Sequence, residues 1–110
     1  MSPQNRDVVQ GTLDMLVLKA VSLTPMHGWG ITQRVAQITG NVLRVNPGAL
    51  YPALERLQDR GWITAAWGTT EHGRRAKYYE LTSRGRKQLE KEAADWRRMA
   101  AAVEAMLRAT

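Results

Sequence analysis

Apolar residues along this chain fall into four stretches of helical spacing and two β-favouring runs. The best delimited is Asn46 to Gly61. There Leu50, Leu54 and Leu57 follow a four-then-three spacing, so they form one stripe of a helix that must lie on a core. Both ends of that helix are written in the residues: Asn46 is a good N-cap, Pro47 suits the first helical position, and Gly61 supplies a left-handed stop. Pro52, about one and a half turns in, removes a helical hydrogen bond and is expected to bend or loosen the start. Upstream, Leu13, Leu16, Val17 and Ala20 predict a first helix from Thr12, its expected cap, to Ser22. Met15, Leu18 and Val21 give that helix a second apolar flank, available to another subunit. Ile31, Val35 and Ile38 predict a second helix from Gly28 to Thr39, ended by Gly40, with Thr32, Gln33, Arg34 and Gln37 on its exposed side. Leu23 to His27, with Pro25, reads as a connection, and Asn41 to Val45 as a short extended segment. Residues 1–10 have no periodic pattern beyond Val8 and Val9 and read as a flexible arm.

Beyond the third helix, Trp62 to Trp67 and Ala76 to Leu81 predict two strands joined by a glycine-bounded basic loop. Three tightly jointed helices followed by such a hairpin make a winged helix-turn-helix. From Thr82 onward the pattern becomes one long helix, with Leu89, Ala93, Trp96, Ala100, Val103 and Leu107 at alternating spacings of four and three. The economical cover for that seam is a second copy of the chain; folding back onto its own domain is the alternative. The expected architecture is therefore mainly α with a small β-hairpin: a winged helix-turn-helix over residues 1–81 and a long C-terminal dimerisation helix over 82–110.

Charge narrows the function. Sixteen Lys and Arg against ten Asp and Glu give a net charge of +6 and favour an anionic partner. The absence of cysteine excludes disulfides, thiolate catalysis and Cys-bound zinc. No apolar run reaches the length of a membrane span and the start carries no signal-peptide pattern, so a soluble, cytoplasmic protein is expected. The two histidines, His27 and His72, fall in unlike segments, and no hydroxyl or carboxylate completes a triad or metal set with them. Neither an enzyme nor a cofactor nor a metal is expected.

On the side of the third helix away from its leucines lie Gly48, Pro52, Glu55 and Asp59, with Tyr51 and Arg56 on the shoulders. A helix start with so little bulk can approach a phosphate chain or groove floor closely. In the hairpin, Arg74, Arg75 and Lys77 put three positive charges into four residues, the kind of tip that enters a minor groove.

Four stretches, GTLDMLVLKAV, HGWGI, PGALYPALERLQDRGWI and GRRAKYYELTSRGR, carry a specific resemblance. The chain resembles the PadR family of bacterial transcriptional regulators from Gly11 to about Glu92, in particular the branch with a single C-terminal helix. The resemblance implies a homodimer that binds a pseudo-palindromic operator on double-stranded DNA and represses a nearby gene, with the LYPAL helix in the major groove and the hairpin flanking it. Carried onto this chain it indicates Gly48, Tyr51 and Arg56 on the helix and Arg74, Arg75 and Lys77 on the wing. Many relatives have a proline beside the wing arginine, where this chain has Arg75 and Ala76, which implies a more flexible tip. Within that frame Asn46 and Tyr51 are expected to donate to the DNA backbone and Arg56 to reach a base edge or phosphate. The wing cations neutralise phosphates or read groove width, Asp59 lies beyond the contact zone, and two recognition helices sit roughly 34 Å apart. In some relatives aromatic side chains of the last helix stack flat hydrophobic effectors near the dimer axis. The candidates here are Met15, Trp96, Met99 and Val103. The competing expectation is a winged helix used for protein contact, with little DNA affinity of its own.

Overall fold

A computed structural model describes residues 6–7 and 10–110, with side chains from residue 12 onward. The order of elements is β1 (Arg6–Asp7), α1 (Gln10–Leu23), β2 (Met26–His27), α2 (Gly28–Ile38), β3 (Leu43–Arg44), α3 (Pro47–Asp59), β4 (Ile63–Thr69), β5 (Arg75–Leu81) and α4 (Ser83–Arg108). Within the expected N-terminal arm, β1 pairs in parallel with β3. The rest of the arm, residues 1–5 and 8–9, lies outside the described residues.

The expected ends of α3 are present. Asn46 Oδ1 accepts from the Gly48 amide at 2.7 Å. At the other end Gly61 takes φ +76°, which lets Trp62 N–H donate to the Leu57 carbonyl and Gly61 N–H to that of Gln58, the paired closure of a Schellman stop. Leu50, Leu54 and Leu57 are all buried. Full burial of leucines contributes roughly 1.5–3 kcal/mol each, so this stripe fixes α3 on the core.

The core side of α3 rests on α1. Leu13, Val17 and Ala20 are buried there as expected, but so are Leu18 and Val21, because α2, α3, α4 and β5 all pack around α1. The flank expected to await a second subunit is thus largely used inside the chain, with Met15 alone of its three residues half-buried, while Leu16 of the core stripe is half-buried too. Thr12 does not cap α1, since the helix already begins at Gln10. In α2, Ile31 and Val35 enter the core while Ile38 is 66 % exposed: the helix ends there, beyond the reach of the core. Left-handed Gly40 and Asn41 then turn the chain toward α3.

The segment expected to be only a connection supplies a strand. β2 pairs antiparallel with β5, Met26 opposite Tyr79 and His27 opposite Tyr78, so the wing is the outer part of a three-stranded sheet ordered β2-β5-β4. That third strand roots the hairpin beside the start of α2. At the far end of β5, Thr82 caps α4 by accepting from Gly85 N–H at 3.0 Å and donates its own hydroxyl to the Gly61 carbonyl at 2.7 Å. Gly85 is buried at this joint, where a Cβ would collide with the Trp62 carbonyl oxygen. α4 then runs past the core, giving the molecule extents of 56 × 32 × 21 Å.

Candidate nucleic-acid interface

Burial of the leucine stripe turns the other side of α3 to solvent, where Pro47, Gly48, Ala49, Tyr51 and Pro52 are exposed. Pro47 has no N–H and the Gly48 amide is taken by Asn46, so low bulk, more than free amides, distinguishes this helix start. The Asn46 side-chain NH2 group remains a donor at the surface. Glu55 and Asp59 are exposed farther along the helix.

Tyr51 is held across the beginning of α2. A Cβ at Gly28 would come within 2.8 Å of the Tyr51 hydroxyl and 3.0 Å of its ring, so the glycine makes room for the phenol. Behind it stands Tyr79, whose hydroxyl is pushed above its ordinary pKa by burial and secondarily by Tyr51, and so stays neutral. The start of α2 is closed by His27, whose Nδ1 accepts from Gly30 N–H at 3.0 Å and whose ring stands edge-on to Tyr78, 5.3 Å between centroids.

Opposite this wall rises the wing. β4 and β5 are in register from Ile63–Leu81 to Thr69–Arg75, and the tip is tied by Thr70 N–H to the Arg74 carbonyl at 2.7 Å, with Gly73 at φ +77°. Cross-strand partners share a face, so Trp67, Arg75 and Lys77 lie together. The Arg75 guanidinium sits 4.7 Å from the Trp67 ring centroid and the Lys77 ammonium 5.6 Å. Between the wing and the helices opens a groove of about 760 Å³, and it brings Tyr51, Arg74, Arg75 and Lys77 to one concavity. A second groove of about 420 Å³ lies between α2 and the start of α3, bordered by Thr32, Gln33, Arg44 and Asn46. Trp29, 62 % exposed, stands on the border of both.

Two arginines are elsewhere than their helical positions imply. Arg56 does not face the open side of α3: its Nη2 donates to Asp14 Oδ1 of α1 at 2.7 Å, and its Nε is buried without a partner. The shoulder it occupies leans on α1, so the guanidinium braces α3 and is withdrawn from the groove. Arg34 likewise turns inward, donating to the Ala20 and Thr24 carbonyls at 2.7 and 3.1 Å and to Thr24 Oγ1 at 2.9 Å. It satisfies carbonyls near the end of α1, where a cation is favourable.

The α4 seam divides in two. Leu89 packs against the core, while Trp96, Val103 and Leu107 are 46, 52 and 75 % exposed. Ala93 and Ala100 are half-buried. Where α4 crosses α1, grooves of about 480 and 490 Å³ open on either side, and Met15 and Trp96 line both. Met99 borders one of them; Val103, about one turn farther on, borders neither. Among the described residues no helix is long and apolar enough to cross a membrane, and no cluster of His, Asp or Glu could hold a metal ion.

Sequence reading did not find His27 as a helix cap, Trp29 and Arg44 beside the grooves, or Trp67 beneath the wing cations. Only for Trp67 was there a signal, since its strand position places it opposite Lys77 once the hairpin register is known.

Solved structures share this arrangement. A protein from Streptococcus mutans superposes with a TM-score of 0.81 at 26 % identity, over 93 % of this chain and 92 % of the other. A PadR-like transcriptional regulator from Bacillus cereus gives 0.77 at 25 % identity, over 91 and 95 %. A PadR family transcriptional regulator from Eggerthella lenta gives 0.76 at 27 % identity, over 91 and 85 %. The profile of the transcriptional regulator PadR-like family matches residues 17–91, from the middle of α1 through the wing into α4. With most of its length in that match and the same winged helix-turn-helix throughout, the chain belongs to the PadR-like family of transcriptional regulators.

Proposed function

We propose that this protein is a homodimeric repressor that binds a pseudo-palindromic operator, with the start of α3 in the major groove and the wing on the flanking minor groove. The observation that carries this reading is the shared concavity of Tyr51, Arg74, Arg75 and Lys77 beside a helix start with little side-chain bulk. Tyr51 and Asn46 donate to the backbone and fix register, the wing cations neutralise phosphates, and Gly48 permits close approach. Arg56 acts indirectly, by tying α3 to α1. Trp29, Gln33 and Arg44 extend the phosphate-facing surface along α2 and the turn into α3.

The exposed part of the α4 seam, Trp96 through Leu107, supports pairing with a second copy, which sets the two α3 starts about one DNA turn apart. A small aromatic or hydrophobic effector enters between α1 and α4, against Trp96, Met15 and Met99. By favouring one arrangement of the two copies it lowers operator affinity without touching DNA.

The test is a footprint on the DNA upstream of the protein's own gene. Protection of an inverted repeat, lost when Arg74→Ala and Arg75→Ala are combined, is expected. Binding that is absent even to random duplex at low salt would favour the protein-contact reading instead.

A further inference from the structure

The cations of the wing share an aromatic neighbour. Trp67 stands in the middle of β4, 59 % exposed, so burial alone does not account for a tryptophan there. The register sets it opposite Lys77 and diagonal to Arg75, and both cations lie over its ring, at 5.6 and 4.7 Å. Arg75 and Lys77 are two apart on one strand and therefore side by side on one face, where like charges repel. Among the described residues neither makes an ion pair. The negative face of the indole offsets their repulsion and limits the rotamers of two long side chains.

These contacts also leave donors to spare, since the guanidinium carries five N–H groups and the ammonium three, more than one ring face can occupy. We infer that Trp67 is a positioning residue of the wing, holding Arg75 and Lys77 extended as a paired phosphate clamp before DNA arrives. The inference rests on the DNA-binding reading above and adds to it what restricts the wing cations, namely the Trp67 ring beneath them.

The experiment uses the full chain and a labelled random duplex, with affinity followed by fluorescence anisotropy between about 50 and about 200 mM salt, the range in which phosphate contacts dominate. Trp67→Leu, which keeps an apolar strand residue but no aromatic face, is expected to weaken binding about three- to tenfold at the low end and to flatten the salt slope by about one. Trp67→Phe should keep most of the affinity. In a background carrying Arg75→Ala and Lys77→Ala, Trp67→Leu should cost nothing further, because its effect passes through those cations. A merely structural role would lower the melting temperature of Trp67→Leu and leave the slope unchanged. An unchanged slope, or an undiminished loss in the cation-free background, overturns the inference while the DNA-binding reading stands. Failure of the wild-type chain to bind duplex at low salt overturns both.

Discussion

α3 and α4 carry nearly the same apolar rhythm, yet their stripes end in opposite places. Leu50, Leu54 and Leu57 are at most 1 % exposed, whereas Trp96, Val103 and Leu107 range from 46 to 75 %. α3 is short, capped at both ends and pressed on α1. α4 spends its first turns on the core through Leu89 and then outruns it. A periodic stripe therefore states that a helix needs cover without stating who provides it. Where the chain supplies the cover the stripe makes a domain, and where it does not the stripe is an invitation to another molecule.

The largest effect that separates the two helices is expected from Leu54→Ala, which leaves a cavity beneath α3 and should lower unfolding free energy by about 2–5 kcal/mol in urea titration. The same truncation at Leu107 should change the stability of a single copy by less than about 0.5 kcal/mol. A comparable loss at both sites would erase the distinction. Next comes the brace of α3. Arg56→Ala leaves the Asp14 carboxylate nearly buried without its cation and should cost about 1–3 kcal/mol, a range reduced because water still reaches part of the guanidinium. DNA affinity should fall in Arg56→Ala only as far as folded protein is lost, readable by correcting binding curves for the folded fraction.

For the α4 side, Val103→Glu combined with Leu107→Glu should leave circular dichroism unchanged, shift sedimentation toward one copy, and weaken operator binding by about tenfold or more, roughly 1.4 kcal/mol. Asn46→Ala removes the N-cap at the α3 start and should cost about 1 kcal/mol in thermal unfolding. The smallest effect concerns Tyr79. Its raised pKa means that the unfolded chain releases the phenolic proton first, so the associated stability is intact below the ordinary value of 10.0 and is lost as pH rises through the raised one. Tyr79→Phe should flatten that alkaline decline in pH-resolved melting curves.

Much of this was legible because it is local. Asn46, Pro47 and Gly61 mark their own backbone conformations, and the hairpin follows from two β-favouring runs around a glycine-bounded loop. Whatever depended on a distant neighbour was hidden. A helical wheel places Arg56 on a shoulder but does not say that the shoulder leans on Asp14, forty-two positions away. Leu18 and Val21 looked spare because the number of elements gathered around α1 cannot be counted from α1. β2 is two residues after a proline, too short for any period, and becomes a strand only because β5 lies beside it. Within the candidate site, Tyr51 and the wing cations were readable, while the groove that unites them depends on the angle between α2 and the sheet.

The rigid joint at Thr82 and Gly85 gives α4 the character of a lever. It is bolted to the residues that end α3, and at twenty-six residues its arm is about 39 Å long. A tilt of about 5° at the fulcrum would swing the far tip by about 3 Å, close to the spacing of one base pair. A side chain as small as a methyl group at Gly85, pressed against the Trp62 carbonyl, should therefore be enough to redirect the arm.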